Sequence, residues 1–258
     1  MTPRRSPLAS HPRVMQAQLA AMMLSRLPVG RLPDGPHPLG AAAWAFALVG
    51  MGLGMIGAGV FWLGGAMGLP DFARALVVLG AMIWLTGALH EDGLADLADG
   101  LGGGTTPARK LEIMRDSRLG SYGAVALILA LGLRACGIAA LAAHGAGPWA
   151  IVALAIASRA QMVIWQAYLP PARSDGMGHA AQSVPRSGVI VALLMAAAGA
   201  LPLGSAMGPV LLAVGLGGGV VAFLAHRQIG GQTGDVLGAS QQAAEITGWL
   251  AVMIWLGQ

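Results

Sequence analysis

Residues 121–143 read SYGAVALILALGLRACGIAALAA, with a single charge, Arg134, and no proline. As a helix this run is about 34 Å long, enough to cross a hydrocarbon core of roughly 30 Å. Six more apolar runs flank it, at 41–67, 72–90, 148–168, 188–204, 208–225 and 243–257. The chain therefore reads as an all-α polytopic transmembrane helix bundle of about seven spanning helices, with residues 1–258 forming one integral membrane domain. The runs at 72–90 and 243–257 are short. They need either polar flanks that continue the helix or a locally thin bilayer.

Composition agrees. The chain is 56% hydrophobic and 10% charged, against about 25% charged for a soluble domain. The 40 glycines suit close packing of helices in lipid. Two Tyr and four Phe argue against a barrel with aromatic girdles. The one cysteine, Cys136, excludes an internal disulfide or cysteine metal site and reads as a small buried apolar residue.

The net charge of +4 could signal nucleic acid. The basic residues lie between apolar runs, however, so membrane orientation explains them and no nucleic-acid partner is expected. Residues 1–13 are polar and Pro-rich and do not resemble a cleavable signal. Residues 14–27 carry Val14, Leu19, Met22, Met23 and Leu27, the pattern of an amphipathic surface helix that Pro28 stops. With a cytoplasmic N-terminus, the inner segments are 1–40, 91–120, 169–187 and 226–242. They hold Arg4, Arg5, Arg13, Arg26, Arg31, Arg109, Lys110, Arg115, Arg118, Arg173, Arg186 and Arg227, whereas the outer segments hold only Arg74. That is the positive-inside pattern. Every long polar loop then faces one side, where several of them can share a site.

Six of the eleven acidic residues lie between Glu91 and Asp116. Asp92, Asp96 and Asp99 follow i, i+4, i+7 spacing, so a helix continuing inward from the second span presents all three on one face, with Glu91 at its border. Such a row of like charges repels itself. A hard divalent cation with oxygen ligands offsets it, and Mg²⁺ takes a few carboxylates plus phosphate oxygens. The alternative is a solvated acidic helix end. Gly100, Gly102, Gly103 and Gly104 follow, either exposing amides to phosphate or simply turning the chain. Next come Arg109, Arg115 and Arg118 on a short helical pattern, suited to gripping phosphate or to anchoring the loop inside. Glu112 and Asp116 complete a metal shell or pair with those arginines. Acidic face, glycine turn and basic helix together suit phosphoryl transfer.

Near the C-terminus, Gln232, Thr233 and Asp235 sit among glycines just before the last apolar run. Asp235 reads as a site carboxylate or as a helix N-cap. Two arginines fall inside spans. Arg134 reads as structural, and Arg159 as a phosphate ligand, a partner of the acidic cluster or a member of an interhelical pair. His90 reads as orienting a carboxylate rather than as a metal ligand. The tryptophans read as interface anchors.

Two long stretches now carry a family resemblance. His90-Glu-Asp-Gly-Leu-Ala-Asp-Leu-Ala-Asp-Gly-Leu-Gly-Gly-Gly104, followed by Leu111-Glu-Ile-Met-Arg-Asp-Ser-Arg-Leu-Gly-Ser-Tyr-Gly123, resembles the signature of cobalamin synthases. Gly230-Gly-Gln-Thr-Gly-Asp-Val-Leu-Gly-Ala239 resembles a second motif of that family, and Arg26–Val29, Ser158-Arg159 and Ala172–Gly178 are weaker echoes. The resemblance implies a transferase that joins adenosylcobinamide-GDP to alpha-ribazole, or to its 5′-phosphate, and releases GMP with Mg²⁺ as cofactor. It implies a bacterial inner-membrane enzyme whose active site faces the cytoplasm, with homo-oligomer formation left open. Catalysis falls to Asp92, Asp96, Asp99 and Asp116. Substrate contacts fall to Arg109, Arg115, Ser117, Arg118, Arg159, Gln232, Thr233 and Asp235, and metal binding to Glu91, Asp92, Asp96, Asp99 and Asp235. Two other classes compete. A CDP-alcohol phosphotransferase leaves the 230–239 motif unexplained, and a transporter would place its acids nearer the bilayer midplane.

Overall fold

The computed structural model describes residues 11–33, 35, 37–174 and 183–257. Arg4, Arg5 and residues 175–178 of the third echo lie outside the described residues. The described chain forms helices α1 (Pro12–Leu24), α2 (Leu39–Ala42), α3 (Phe46–Ala66), α4 (Asp71–Thr86), α5 (Leu89–Gly103), α6 (Pro107–Ile113), α7 (Ser121–Ala143), α8 (Trp149–Tyr168), α9 (Arg186–Ala200), α10 (Met207–Ile229) and α11 (Gly234–Leu256). The all-α expectation holds. Among the described residues the only β feature is an isolated parallel bridge between Pro171 and Gln232.

Helix α8 is the axis. Residues from Ala150 to Val163 are buried without interruption, and small side chains let α3, α9, α10 and α11 approach it. The outer helices expose large apolar side chains, among them Trp62, Trp84, Ile128, Leu194, Leu212 and Ile254, each more than 60% exposed. So much apolar surface facing outward on every side marks a lipid-facing bundle. Among the described residues, four helical stretches are long and apolar enough to cross a membrane, Leu39–Ala66, Ser121–Ala143, Trp149–Tyr168 and Arg186–Ile229, and the bent pair Asp71–Thr86 with Leu89–Gly103 makes a fifth, against the seven expected. The stretch Arg186–Ile229 contains α9, a break at Gly204 and α10. It folds back on itself: Trp149, at the start of α8, donates to the Gly199 carbonyl, while Gly219 lies beside Trp165 near the end of α8.

Three expectations change. Cys136 is exposed on α7, because an apolar side chain in a membrane helix can be sheltered by lipid instead of protein. Helix α1 stops at Leu24, earlier than Pro28 requires, since Ser25 turns extended and bonds back to the Ala21 carbonyl. The second span does not continue inward as one straight helix. Gly87, at φ +66°, closes α4 in the left-handed conformation, Ala88 follows it there, and α5 leaves at 87° to α4. A side chain at residue 87 would also collide with Arg26, whose amide donates to the Leu85 carbonyl. The acidic residues thus ride on a separate helix, packed between α7 and α11.

Candidate active site

Helix α5 crosses the start of α11 at Gly93, where a Cβ would lie 2.9 Å from the Asp235 carbonyl oxygen. Glycine there lets the two backbones touch and brings the acids of α5 next to Asp235. Thr233, not Asp235, caps α11: its hydroxyl accepts from the Val236 amide at 3.2 Å and donates to the Asp235 carboxylate at 3.2 Å. Asp235 is left at the positive end of the helix, where a carboxylate is favoured. Arg173 approaches it at 4.0 Å while donating to the Leu111 carbonyl at 2.9 Å.

The acids of α5 divide by partner. Glu91 is buried and bound to Arg134 at 2.8 Å, with Gln242 donating to the same oxygen at 3.1 Å. Its other oxygen has no hydrogen-bond partner among the described residues, and the residue also borders the cleft shared by Asp92 and Asp96. Asp99 accepts the amides of Gly120 and Gly123 at 2.8 and 2.9 Å, acting from a neighbouring helix as the N-cap that α7 lacks. Asp99→Ala should therefore lower stability by about 1–2 kcal/mol, read as a lower unfolding midpoint in detergent, and Asp99→Asn should lose less. Asp92 is exposed and Asp96 half-buried. Burial, then Asp92, Asp235 and Asp99, push the Asp96 carboxyl up to about 7, with Arg173 the one opposing charge. Burial also raises Asp235.

A cleft of about 490 Å³ opens beside Asp92 and Asp96, and its other wall carries Arg115, Asp116, Ser117 and Arg118. Asp116 accepts from the Arg118 side chain and amide, which hold its carboxyl down to about 2. Arg109 pairs with Glu112 at 2.7 Å. Both are exposed pairs worth little, so a phosphate can take over their guanidinium groups at small cost. Arg115 also lines an adjoining cleft with Arg173. Asp92 also borders a smaller cavity of about 150 Å³, which reaches Asp235, His90 and Gln166. Gln232 is buried beneath it, donating to the Gln166 carbonyl at 3.3 Å and bonded through its backbone to Pro170 and Ala172.

Arg159 is not in this site. It lies in the bundle interior 3.7 Å from Glu245, which is also bound by Arg134 at 2.8 Å. Ser158, Gln241 and Gln242 complete that network. Glu245, Gln241 and Gln242 were legible as polar residues at the edge of an apolar run, but nothing local ties them to Glu91.

Asp92 and Asp96 thus share one cleft with Arg115 and Arg118, which follow α6, while Asp235 adds its charge from the neighbouring cavity that Asp92 also borders. Among the described residues, no three carboxylate, histidine or cysteine side chains converge closely enough to hold a metal by themselves. A site that completes its shell with water and phosphate oxygens needs only one or two carboxylates.

The sequence model of the family described as cobalamin-5-phosphate synthase matches residues 16–253. The adenosylcobinamide-GDP ribazoletransferase of Bradyrhizobium diazoefficiens is 44% identical over 90% of this chain and 91% of its own. Proteins of the same name from Azorhizobium caulinodans and Mesorhizobium japonicum are 42% and 41% identical, covering 95% and 92% of this chain and 98% and 92% of theirs. No solved structure matches. A match along nearly the whole sequence, shared by relatives this similar, places the chain in the cobalamin-5-phosphate synthase family.

Proposed function

We propose that the protein joins adenosylcobinamide-GDP to alpha-ribazole, or to its 5′-phosphate, in a Mg²⁺-dependent reaction that releases GMP. The observation that carries this is the cleft that Asp92 and Asp96 share with Arg115 and Arg118, with Asp235 of the crossing helix close enough to act on Asp96. Asp92 and Asp96, which line the cleft, are the residues that would hold Mg²⁺, with water and phosphate oxygens filling the rest of its shell. The two carboxylates fit it, because burial and then the negative charge of Asp92, Asp235 and Asp99 raise the Asp96 carboxyl, with only Arg173 against them. Bound there, the ion would neutralise phosphate oxygens in the cleft. The acceptor's ribose hydroxyl attacks the phosphorus attached to cobinamide. A new oxygen–phosphorus bond forms, the bond to GMP breaks, and the hydroxyl proton passes to a carboxylate of this group. Arg115 and Arg118 steady the departing GMP phosphate.

Protein purified in detergent and given adenosylcobinamide-GDP, alpha-ribazole and Mg²⁺ should release GMP; absence of GMP would reject the proposal. Asp96 sets the pH dependence. Below about 7 its carboxyl holds a proton that Mg²⁺ must displace. The Mg²⁺ concentration for half-maximal rate should rise about tenfold per pH unit below that point and level off above it. Asp96→Asn should flatten this slope.

The cleft is read as opening to the cytoplasm of a bacterial inner membrane. A reporter fused at residue 146 should then report from the far side, and a cytoplasmic signal there would invert the orientation.

A further inference from the structure

The small cavity beside Asp92 has a use that the phosphate chemistry leaves open. Its walls come from five packed helices and are mostly apolar, with Met23 from α1, Phe46 from α3, Leu89 from α5, Met162 from α8 and Leu237 from α11. At about 150 Å³, and open on one side, it has room to seat one ring of a planar aromatic base while the rest of the base reaches toward the opening. Two methionines give it walls that adjust to a planar guest. His90, 1% exposed, lines it, and the His90 Nε2 has no hydrogen-bond partner among the described residues. An unpaired buried nitrogen is costly unless a guest satisfies it. Asp92 is the one described acidic residue that borders both this cavity and the guanidinium-lined cleft.

We propose that this cavity is the acceptor pocket: it takes the planar, nitrogen-containing aromatic base of an alpha-riboside, and His90 bonds the free ring nitrogen of that base. The inference rests on the transferase reading. It divides the site at Asp92, with the phosphates of the donor on the arginine side and the base of the acceptor on the apolar side. The ribose then spans the seam, which puts its hydroxyl next to Asp92 where the phosphorus arrives. An apolar slot discriminates by size and shape, and the single polar partner discriminates by the ring nitrogen. Met23, Met162 and His90 become the residues that select the base.

The test is direct binding of alpha-ribazole to the full-length protein in detergent by titration calorimetry, with turnover measured separately. Met162→Trp fills the cavity and should weaken alpha-ribazole binding at least tenfold. Met23→Trp, at a half-buried position on α1, should do the same should the α8 variant fail to fold, with size-exclusion profile and helicity checking each. The riboside of 5,6-dimethylindole, which replaces the free ring nitrogen by carbon, should bind the wild type about tenfold more weakly. His90→Phe should erase that difference, and His90→Gln, which keeps an N–H donor, should restore part of it. Alpha-ribazole binding that is absent in the wild type, or unchanged in the folded tryptophan variants, overturns the pocket assignment. GMP release with unchanged binding in those variants would keep the transferase reading and sink only the pocket. No GMP release together with binding lost in those variants would do the reverse.

Discussion

Arg134→Met should destabilise the bundle by roughly 3–5 kcal/mol, the cost of breaking a buried ion pair from one side. Arg134 sits on α7 and holds Glu91 of α5 and Glu245 of α11, each at 2.8 Å, and it also donates to Gln242. All three charged side chains are less than 10% exposed. Two guanidinium groups, Arg134 and Arg159, balance two carboxylates, so the cluster is neutral as a whole. Methionine fills a similar volume but leaves Glu91 with only the neutral Gln242 amide, and Glu245 with the 3.7 Å contact to Arg159 and a long 3.4 Å bond from Ser158. The expected result is a large drop in the thermal midpoint in detergent, with loss of monodisperse protein. Adding Glu91→Gln and Glu245→Gln to Arg134→Met should recover much of it, because the stranded charges are then gone. A single variant that melts within a degree or two of the wild type would show that the network does not hold α5 in place.

Asp92→Asn should do the opposite: leave the fold intact and remove turnover. The side chain is exposed, and surface substitutions usually move stability by less than about 0.5 kcal/mol. Yet Asp92 borders both cavities and is among the acids that push Asp96 up. Removing its charge weakens the cation site and the acceptor hydroxyl's surroundings together, for a loss of roughly 10²- to 10⁴-fold in GMP release. Easing the repulsion should also let the Asp96 carboxyl fall back toward ordinary values. The contrast with Asp99, seven residues along the same helix, is the sharper check. Asp99→Ala should lose stability first, Asp92→Asn activity first. Wild-type turnover in Asp92→Asn would remove this residue from the chemistry.

Much of this was legible from residue types. Apolar runs of bilayer length mark the spanning helices, because hydropathy is a sum over neighbours in the chain. The clustering of acids at 91–116, and the glycine-flanked Asp235, identify where the chemistry lies for the same reason. The division of labour among those acids was not legible. Glu91 and Asp92 are adjacent in sequence and border the same cleft, yet one is buried and paired with Arg134 while the other is exposed. The partners responsible, Arg134, Gln242 and the Gly120 and Gly123 amides, lie between 21 and 151 residues away. Local pattern also implied a straight continuation of the second span, where a left-handed turn at Gly87 and Ala88 redirects α5. Composition determined that this is a helical membrane protein with an acid-rich site. Which carboxylates are spent on holding the bundle and which remain to meet a cation was decided only when α5 packed between α7 and α11, since a charge is neutralised by what lies beside it in space.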